Sequence, residues 1–143
     1  MKNILILIVI STLSLLISCS DEQSTPQDTN FVKVERGGCA NGLPPGGIIQ
    51  TEKTDTVYHY IKDNHLFIYI GFEATCCILY DYKTEINSNE IEIELNEASN
   101  NPCDCICWYE FTFEFKDMEK ILYNYTIKIE DYLVFTGKID LSE

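Results

Sequence analysis

From Cys103 to Phe115 every odd-numbered residue is a cysteine or an aromatic: Cys103, Cys105, Cys107, Tyr109, Phe111, Phe113 and Phe115. The even positions include Asp104, Glu110, Thr112 and Glu114, with Ile106 and Trp108 as apolar exceptions. A β-strand sends successive side chains to opposite faces, whereas a helix would scatter this series around its circumference. The segment is therefore predicted as a strand with one buried face and one wet face. It is long for a strand, which usually has about three to ten residues. A bend or bulge is predicted near Cys105 to Trp108, where the polar side turns apolar.

The same period of two recurs from residue 56 onward. Glu90, Glu92 and Glu94 alternate with Ile91, Ile93 and Leu95, and Asn124, Thr126, Lys128 and Glu130 with Tyr123, Tyr125, Ile127 and Ile129. Strands are predicted over Thr56–Ile61, Leu66–Phe72, Cys76–Glu85, Glu90–Leu95, Cys105–Phe115, Tyr123–Glu130 and Leu133–Ile139. Turn-forming stretches such as Lys62-Asp63-Asn64, Asn87-Ser88-Asn89 and Glu130-Asp131 separate them. The expected fold is all-β: a single antiparallel β-sandwich of about seven strands over residues 31–143. The strand order resembles immunoglobulin-like and fibronectin-III-like domains, which implies a tyrosine corner at Tyr125 but carries no function. Arg36 to Gly47 (RGGCANGLPPGG) is expected to be irregular and pinned by Cys39. It lacks the Gly-Lys-Ser/Thr ending of a phosphate-binding loop.

At the N-terminus, Lys2 precedes an apolar run from Ile4 to Ile17 broken only by Ser11, Thr12 and Ser14. The run is shorter than the roughly 20 residues that a membrane-spanning helix needs, so it reads as a secretory leader. It closes on Leu16-Ile17-Ser18-Cys19, which resembles the lipobox of bacterial lipoproteins. That resemblance implies removal of residues 1–18, acylation of Cys19 and attachment to a membrane through the acyl chains. Ser20-Asp21-Glu22 resembles the surface-export signal of Bacteroidetes lipoproteins. It implies the outer membrane, surface-exposed or periplasm-facing. Residues 19–30 are polar and aperiodic and read as a flexible tether.

The chain holds seven cysteines. With Cys19 acylated, Cys39, Cys76, Cys77, Cys103, Cys105 and Cys107 remain, an even set that suits disulfides in an exported domain. Adjacent Cys76 and Cys77 are poorly placed to bond each other, and so are neighbours within Cys103-Asp104-Cys105-Ile106-Cys107. Each of Cys39, Cys76 and Cys77 is expected to join one of Cys103, Cys105 and Cys107, which leaves six of the fifteen pairings open. In a regular strand Cys76 and Cys77 point to opposite faces, while the other three share one. An irregular stretch is therefore expected, at Cys103 after Pro102. The alternating spacing does not suit a zinc ribbon. A thiol oxidoreductase would show Cys-x-x-Cys at a helix start. The double cysteine followed by Cys-x-Cys-x-Cys resembles a group of small Bacteroidetes lipoproteins over roughly Thr75 to Ile129. That likeness implies no activity.

The formal net charge is −13, from 23 acidic and 10 basic residues. Such a balance disfavours nucleic acid and anionic lipid head groups; it suits solubility, cationic partners or divalent ions, and the plain reading is a solvated acidic exterior. His59 and His65 flank a predicted hairpin turn as exposed strand-end residues. Neither Gly-x-Ser-x-Gly nor His-Glu-x-x-His occurs, so no catalytic residue, metal site or cofactor is assigned. The Glu90, Glu92, Glu94 row reads as a solvated edge. Tyr58, Tyr60, Tyr69, Tyr80, Tyr82, Trp108 and Tyr109 are expected mostly in packing, and a contiguous exposed patch of them would mark a binder. Asp55-Thr56-Val57 matches a short Bacteroidetes O-glycosylation motif, which implies Thr56 as an acceptor. The expectation is a lipid-anchored outer-membrane lipoprotein that is not an enzyme. It would act as a binding or accessory module with a protein or glycan partner. The alternatives are a structural envelope lipoprotein without a ligand and a metal-handling protein.

Overall fold

The computed structural model describes residues 29–41, 54–99, 103–131 and 133–142. The leader, Cys19 and the tether up to residue 28 lie outside the described residues. Eight strands form: β1 (Phe31–Gly38), β2 (Thr56–Lys62), β3 (His65–Thr75), β4 (Tyr80–Asn87), β5 (Glu90–Glu97), β6 (Ile106–Phe115), β7 (Leu122–Ile129) and β8 (Leu133–Asp140). A short 3-10 turn, Cys39–Asn41, follows β1. The strands make two four-stranded sheets, ordered β1-β6-β3-β2 and β4-β5-β7-β8. The chain is an all-β sandwich, as the alternation demands.

The inner faces interlock through aromatic rings. Tyr109, Phe111, Phe113 and Phe115 of β6 and Leu66, Ile68, Ile70 and Phe72 of β3 are fully buried. They meet Ile91, Ile93, Leu95, Tyr123, Ile127, Ile129 and Ile139 of the opposite sheet in one core cluster. Tyr80 stands edge-on to Phe72 at 5.4 Å and to Tyr109 at 5.2 Å, the tilted geometry that aromatic quadrupoles favour. Each such ring or aliphatic side chain contributes about 1.5–3 kcal/mol by leaving water. The β2–β3 hairpin turns through Asp63 (φ 51°) and Asn64 (φ 62°). Two successive left-handed residues of the Asn/Asp type match the strand twist of a tight hairpin.

Several expectations are corrected. Among the described residues there are eight strands: β1 is not among those expected, and its end, Arg36 to Gly38, pairs with β6 inside the segment expected to be irregular. The sandwich is not wholly antiparallel, because β5 and β7 run parallel from Glu90↔Asn124 to Leu95↔Ile129. Its strand order also departs from the immunoglobulin arrangement, in which the first, second, fifth and fourth strands share a sheet. Cys76 and Cys77 do not open a strand. They form a turn after β3, with Cys77 at φ 68°. β6 begins only at Ile106, after a bend at Asp104 and Cys105, and so has an ordinary length. The corner tyrosine is Tyr123 instead of Tyr125. Near the start of β7, its hydroxyl accepts a hydrogen bond from the Glu119 amide at 3.0 Å. Tyr125 lies over Gly137, where an added Cβ would come within 2.5 Å of the phenol.

Candidate binding face

The outward faces of the two sheets differ in chemistry. On the second sheet, Glu92 and Glu94 of β5 share one lysine, while Glu90 accepts a hydrogen bond from Asn124 Nδ2 at 2.7 Å. Lys128 on β7 contacts Glu92, and its Nζ lies 3.5 Å from Glu94. On β4, Lys83 pairs with Glu85 at 2.8 Å. This face carries charged side chains, some of them paired with lysines, with no large ring among those pairs.

The first sheet presents aromatic rings. Residues opposite in alternation to the core of β2, β3 and β6 project outward, and the register sets Tyr58 beside Tyr69 and Tyr60 beside Phe67. These cross-strand pairs stack at 4.6 Å and 4.9 Å between ring centroids, and Tyr58 lies 6.3 Å from Tyr60. On β3 the next outward position is Gly71, and the Trp108 indole of β6 fills the space above it. A Cβ at Gly71 would sit 2.5 Å from the indole and 3.0 Å from the Tyr69 hydroxyl. Trp108 thus joins Tyr69, Tyr58, Phe67 and Tyr60 into one patch across three strands, about 10 Å wide at the usual strand spacing. Tyr58 and Tyr60 on the edge strand are 49% and 41% exposed. Exposed contiguous rings of this kind mark interaction surfaces more often than chance.

Two glutamates of β6 are set into the patch. Glu110 Oε1 accepts hydrogen bonds from Trp108 Nε1 at 3.0 Å and Tyr69 Oη at 3.1 Å. The opposite Gly37 leaves room for the carboxyl, since a Cβ there would fall 2.6 Å from Glu110 Oε2. Burial, reinforced by the Glu110 charge, raises the Tyr69 phenol above its ordinary pKa. Two turns of alternation further on, the nearly buried Glu114 lies 2.6 Å from His65 Nδ1 and 3.5 Å from Lys33 Nζ. The hydrogen bond with His65 holds the Glu114 carboxyl below the usual range. Both glutamates are oriented by their partners.

The six cysteines lie in three disulfides at the Trp108 end of the first sheet: Cys39–Cys107, Cys76–Cys105 and Cys77–Cys103. This is one of the six pairings that sequence reasoning left open. Backbone hydrogen bonds from Cys76 N to Cys105 O and from Cys103 N to Cys76 O carry the β3–β6 contact past the strand ends. Irregular backbone occurs at Cys77 as well as at Cys103. With every one of these sulfurs so bonded, the cluster offers no thiolate to a metal. Among the described residues no group of three or more His, Cys, Asp or Glu side chains is arranged to hold an ion.

Thr56 opens the exposed edge strand β2, and its hydroxyl donates to the Thr54 carbonyl at 2.6 Å. It stands opposite Gly71, on the aromatic side. His59 and His65 do not meet. The register places His59 beside Ile68 and His65 beside Lys62, so they face opposite sides of the sheet. An open cleft of about 290 Å³ at the far end of the sandwich is lined by Ile61, Leu66, Met118 and Leu141 together with Asn64, Asp117 and Lys120. Sequence reasoning missed Phe67, Glu110, Glu114 and Lys33 as parts of one face. Trp108 and Ile106 on the minority side of β6 were the available signal, read there as a sign of a bulge. Comparison of the chain with family models, curated proteins and solved structures finds no match.

Proposed function

We propose that this chain is a binding or accessory module, tethered through Cys19 to the outer membrane, and that the outer face of its β1-β6-β3-β2 sheet is the surface that binds. The observation that carries this reading is the contrast between the two faces. One carries charged side chains and ion pairs, while the other keeps a contiguous aromatic patch in contact with water. Three disulfides suit a compartment outside the reducing cytoplasm. The patch is built of rings, and the six described cysteines are all in disulfides, which supports binding as its role. A scaffold without a ligand would gain nothing from five exposed or half-exposed rings gathered on one side.

The test compares wild type with Tyr58→Ala and Trp108→Ala in a glycan array and in capture from envelope extracts. A saturable partner retained by a Glu90→Gln control and lost by both ring variants is expected. Equal capture by all forms would remove the face from the account. The anchor is tested separately. Cys19→Ala should release the protein from membrane fractions, and intact mass of the native form should show acyl chains and no alkylatable thiol.

A further inference from the structure

We propose that the protein forms a dimer through the open edge of β2, two copies pairing antiparallel about His59 so that their first sheets become one. This pairing uses the sheet edge, and it is independent of whether the face itself binds a ligand.

A sheet edge exposes unpaired backbone N–H and C=O groups, and native proteins blunt it with charge, proline, a bulge or a cover. Three of the four edge strands among the described residues are guarded in this way. β1 carries Lys33, Glu35 and Arg36 and a register shift between Phe31 and Lys33. β4 carries Asp81, Lys83 and Glu85. β8 carries Gly137, Lys138 and Asp140. β2 is the exception. It pairs with β3 without a shift from Thr56 to Lys62, holds no proline, and has one charged side chain, Lys62, at its end. Among the described residues no strand lies beyond it. All its residues but Val57 are exposed, Tyr58, Tyr60 and Ile61 among them.

The hairpin fixes which backbone groups are free. Its two-residue turn, Asp63-Asn64, closes on the pair Lys62↔His65. The pair flanking such a turn exchanges both backbone hydrogen bonds, and bonded pairs then alternate along an antiparallel ladder. Thr56, Tyr58, Tyr60 and Lys62 therefore bond β3, while Val57, His59 and Ile61 turn their N–H and C=O groups to the open edge. A second β2 centred on His59 sets Val57 opposite Ile61 and His59 opposite its own counterpart. Every outward N–H and C=O of the strand then finds a partner. A centre on Tyr58 or Tyr60 would pair Ile61 or Val57 with a residue outside the strand.

The side chains suit the same register. Tyr58 falls opposite Tyr60 of the second copy, at the positions where cross-strand side chains come closest. The stacks Tyr69-Tyr58 and Phe67-Tyr60 thus run on into the rings of the other chain. On the other side of the sheet Val57 and Ile61 cover each other. Lys62 comes opposite Thr56, at the end where Asp55 holds the Glu73 amide, so no like charges oppose each other within the ladder. The contact has the length of one strand, against roughly 20–30 residues a side in a standard interface, so a weak dimer is expected. Tethering both chains in one membrane would raise their effective concentration.

The mature chain carrying Cys19→Ala, free of acyl chains, is followed by sedimentation velocity from about 5 to about 500 µM in about 150 mM NaCl. A monomer–dimer equilibrium is expected. It should tighten as NaCl rises to about 500 mM, because both copies are strongly acidic. Ile61→Glu guards the edge with a carboxylate and should weaken the dimer at least about tenfold. Val134→Glu makes the same charge change on the edge of the other sheet, at a residue of matching exposure (56% against 58%). It should leave affinity within about twofold of wild type. His59→Pro removes an outward N–H that β3 does not use, and should weaken the dimer as Ile61→Glu does. Circular dichroism checks that each variant folds as wild type does. Amide hydrogen exchange read by NMR should slow at Val57, His59 and Ile61 as concentration rises. A monomer throughout the range would overturn the proposal and leave the aromatic face as it stands. Equal loss in Ile61→Glu and Val134→Glu, a dimer that salt weakens, or one that leaves those three amides unprotected would place the contact elsewhere and overturn it as well.

Discussion

Single residues decide how the face is presented. Gly71 is a glycine because the Trp108 indole occupies the place of its side chain. Gly71→Ala should push the indole outward, shift its emission and cost about 1–3 kcal/mol of stability, as overpacking does elsewhere. Urea titration with fluorescence reads both effects. Glu114 makes the face sensitive to acid. Its carboxyl is held below the ordinary range by the His65 hydrogen bond, so the native state binds a proton less readily than the unfolded chain. The stabilisation is complete above the ordinary carboxylate range and is lost as pH falls through the depressed native value. Midpoints of thermal unfolding measured from pH 7 to pH 3 should fall more steeply for wild type than for Glu114→Gln.

At the scale of elements, β6 is the spine. It pairs with β1 on one side and β3 on the other, supplies five buried side chains to the core, and carries Trp108, Glu110 and Glu114 on its back. Cys39–Cys107 ties β1 to it across a sequence separation of 68, against 26 for Cys77–Cys103. On loop-closure entropy, replacing the first pair by alanines should cost about 4 kcal/mol; the second closes a ring of only a few residues while Cys76–Cys105 stays intact, so its loss should cost about 2 kcal/mol or less. Urea midpoints of the two double variants test that order. The strict alternation of β5, β6 and β7 made those strands legible from residues alone, because each has a dry and a wet side. β1 was hidden for the opposite reason. It is an edge strand with a register shift between Phe31 and Lys33, only Phe31 buried, and a pair of glycines at its end. The turn at Cys76-Cys77 was hidden because cysteine in a left-handed conformation has no compositional signature. The aromatic face was half legible. Phe67 and Tyr69 lie between core residues of β3 that are equally apolar, so no period separates outward rings from inward ones.

The whole molecule is a slab with a charged back and an aromatic front. With 23 acidic residues against 10 basic ones, repulsion outweighs the few surface ion pairs. Raising NaCl from about 10 to about 300 mM should therefore raise the thermal midpoint by a few degrees. Scanning calorimetry at pH 7 checks the sign, and a fall would mean that the pairs dominate. The order of strands has one more consequence. A chain delivered N-terminus first exposes Cys39 long before Cys107 arrives, and Cys76 and Cys77 come into reach in the interval. With Cys19 acylated, the first sulfurs to follow Cys39 are thus wrong ones. If Cys39 pairs early with Cys76 or Cys77, exchange after β6 emerges has to correct it, and oxidative refolding should then give a higher yield with a disulfide isomerase than without one.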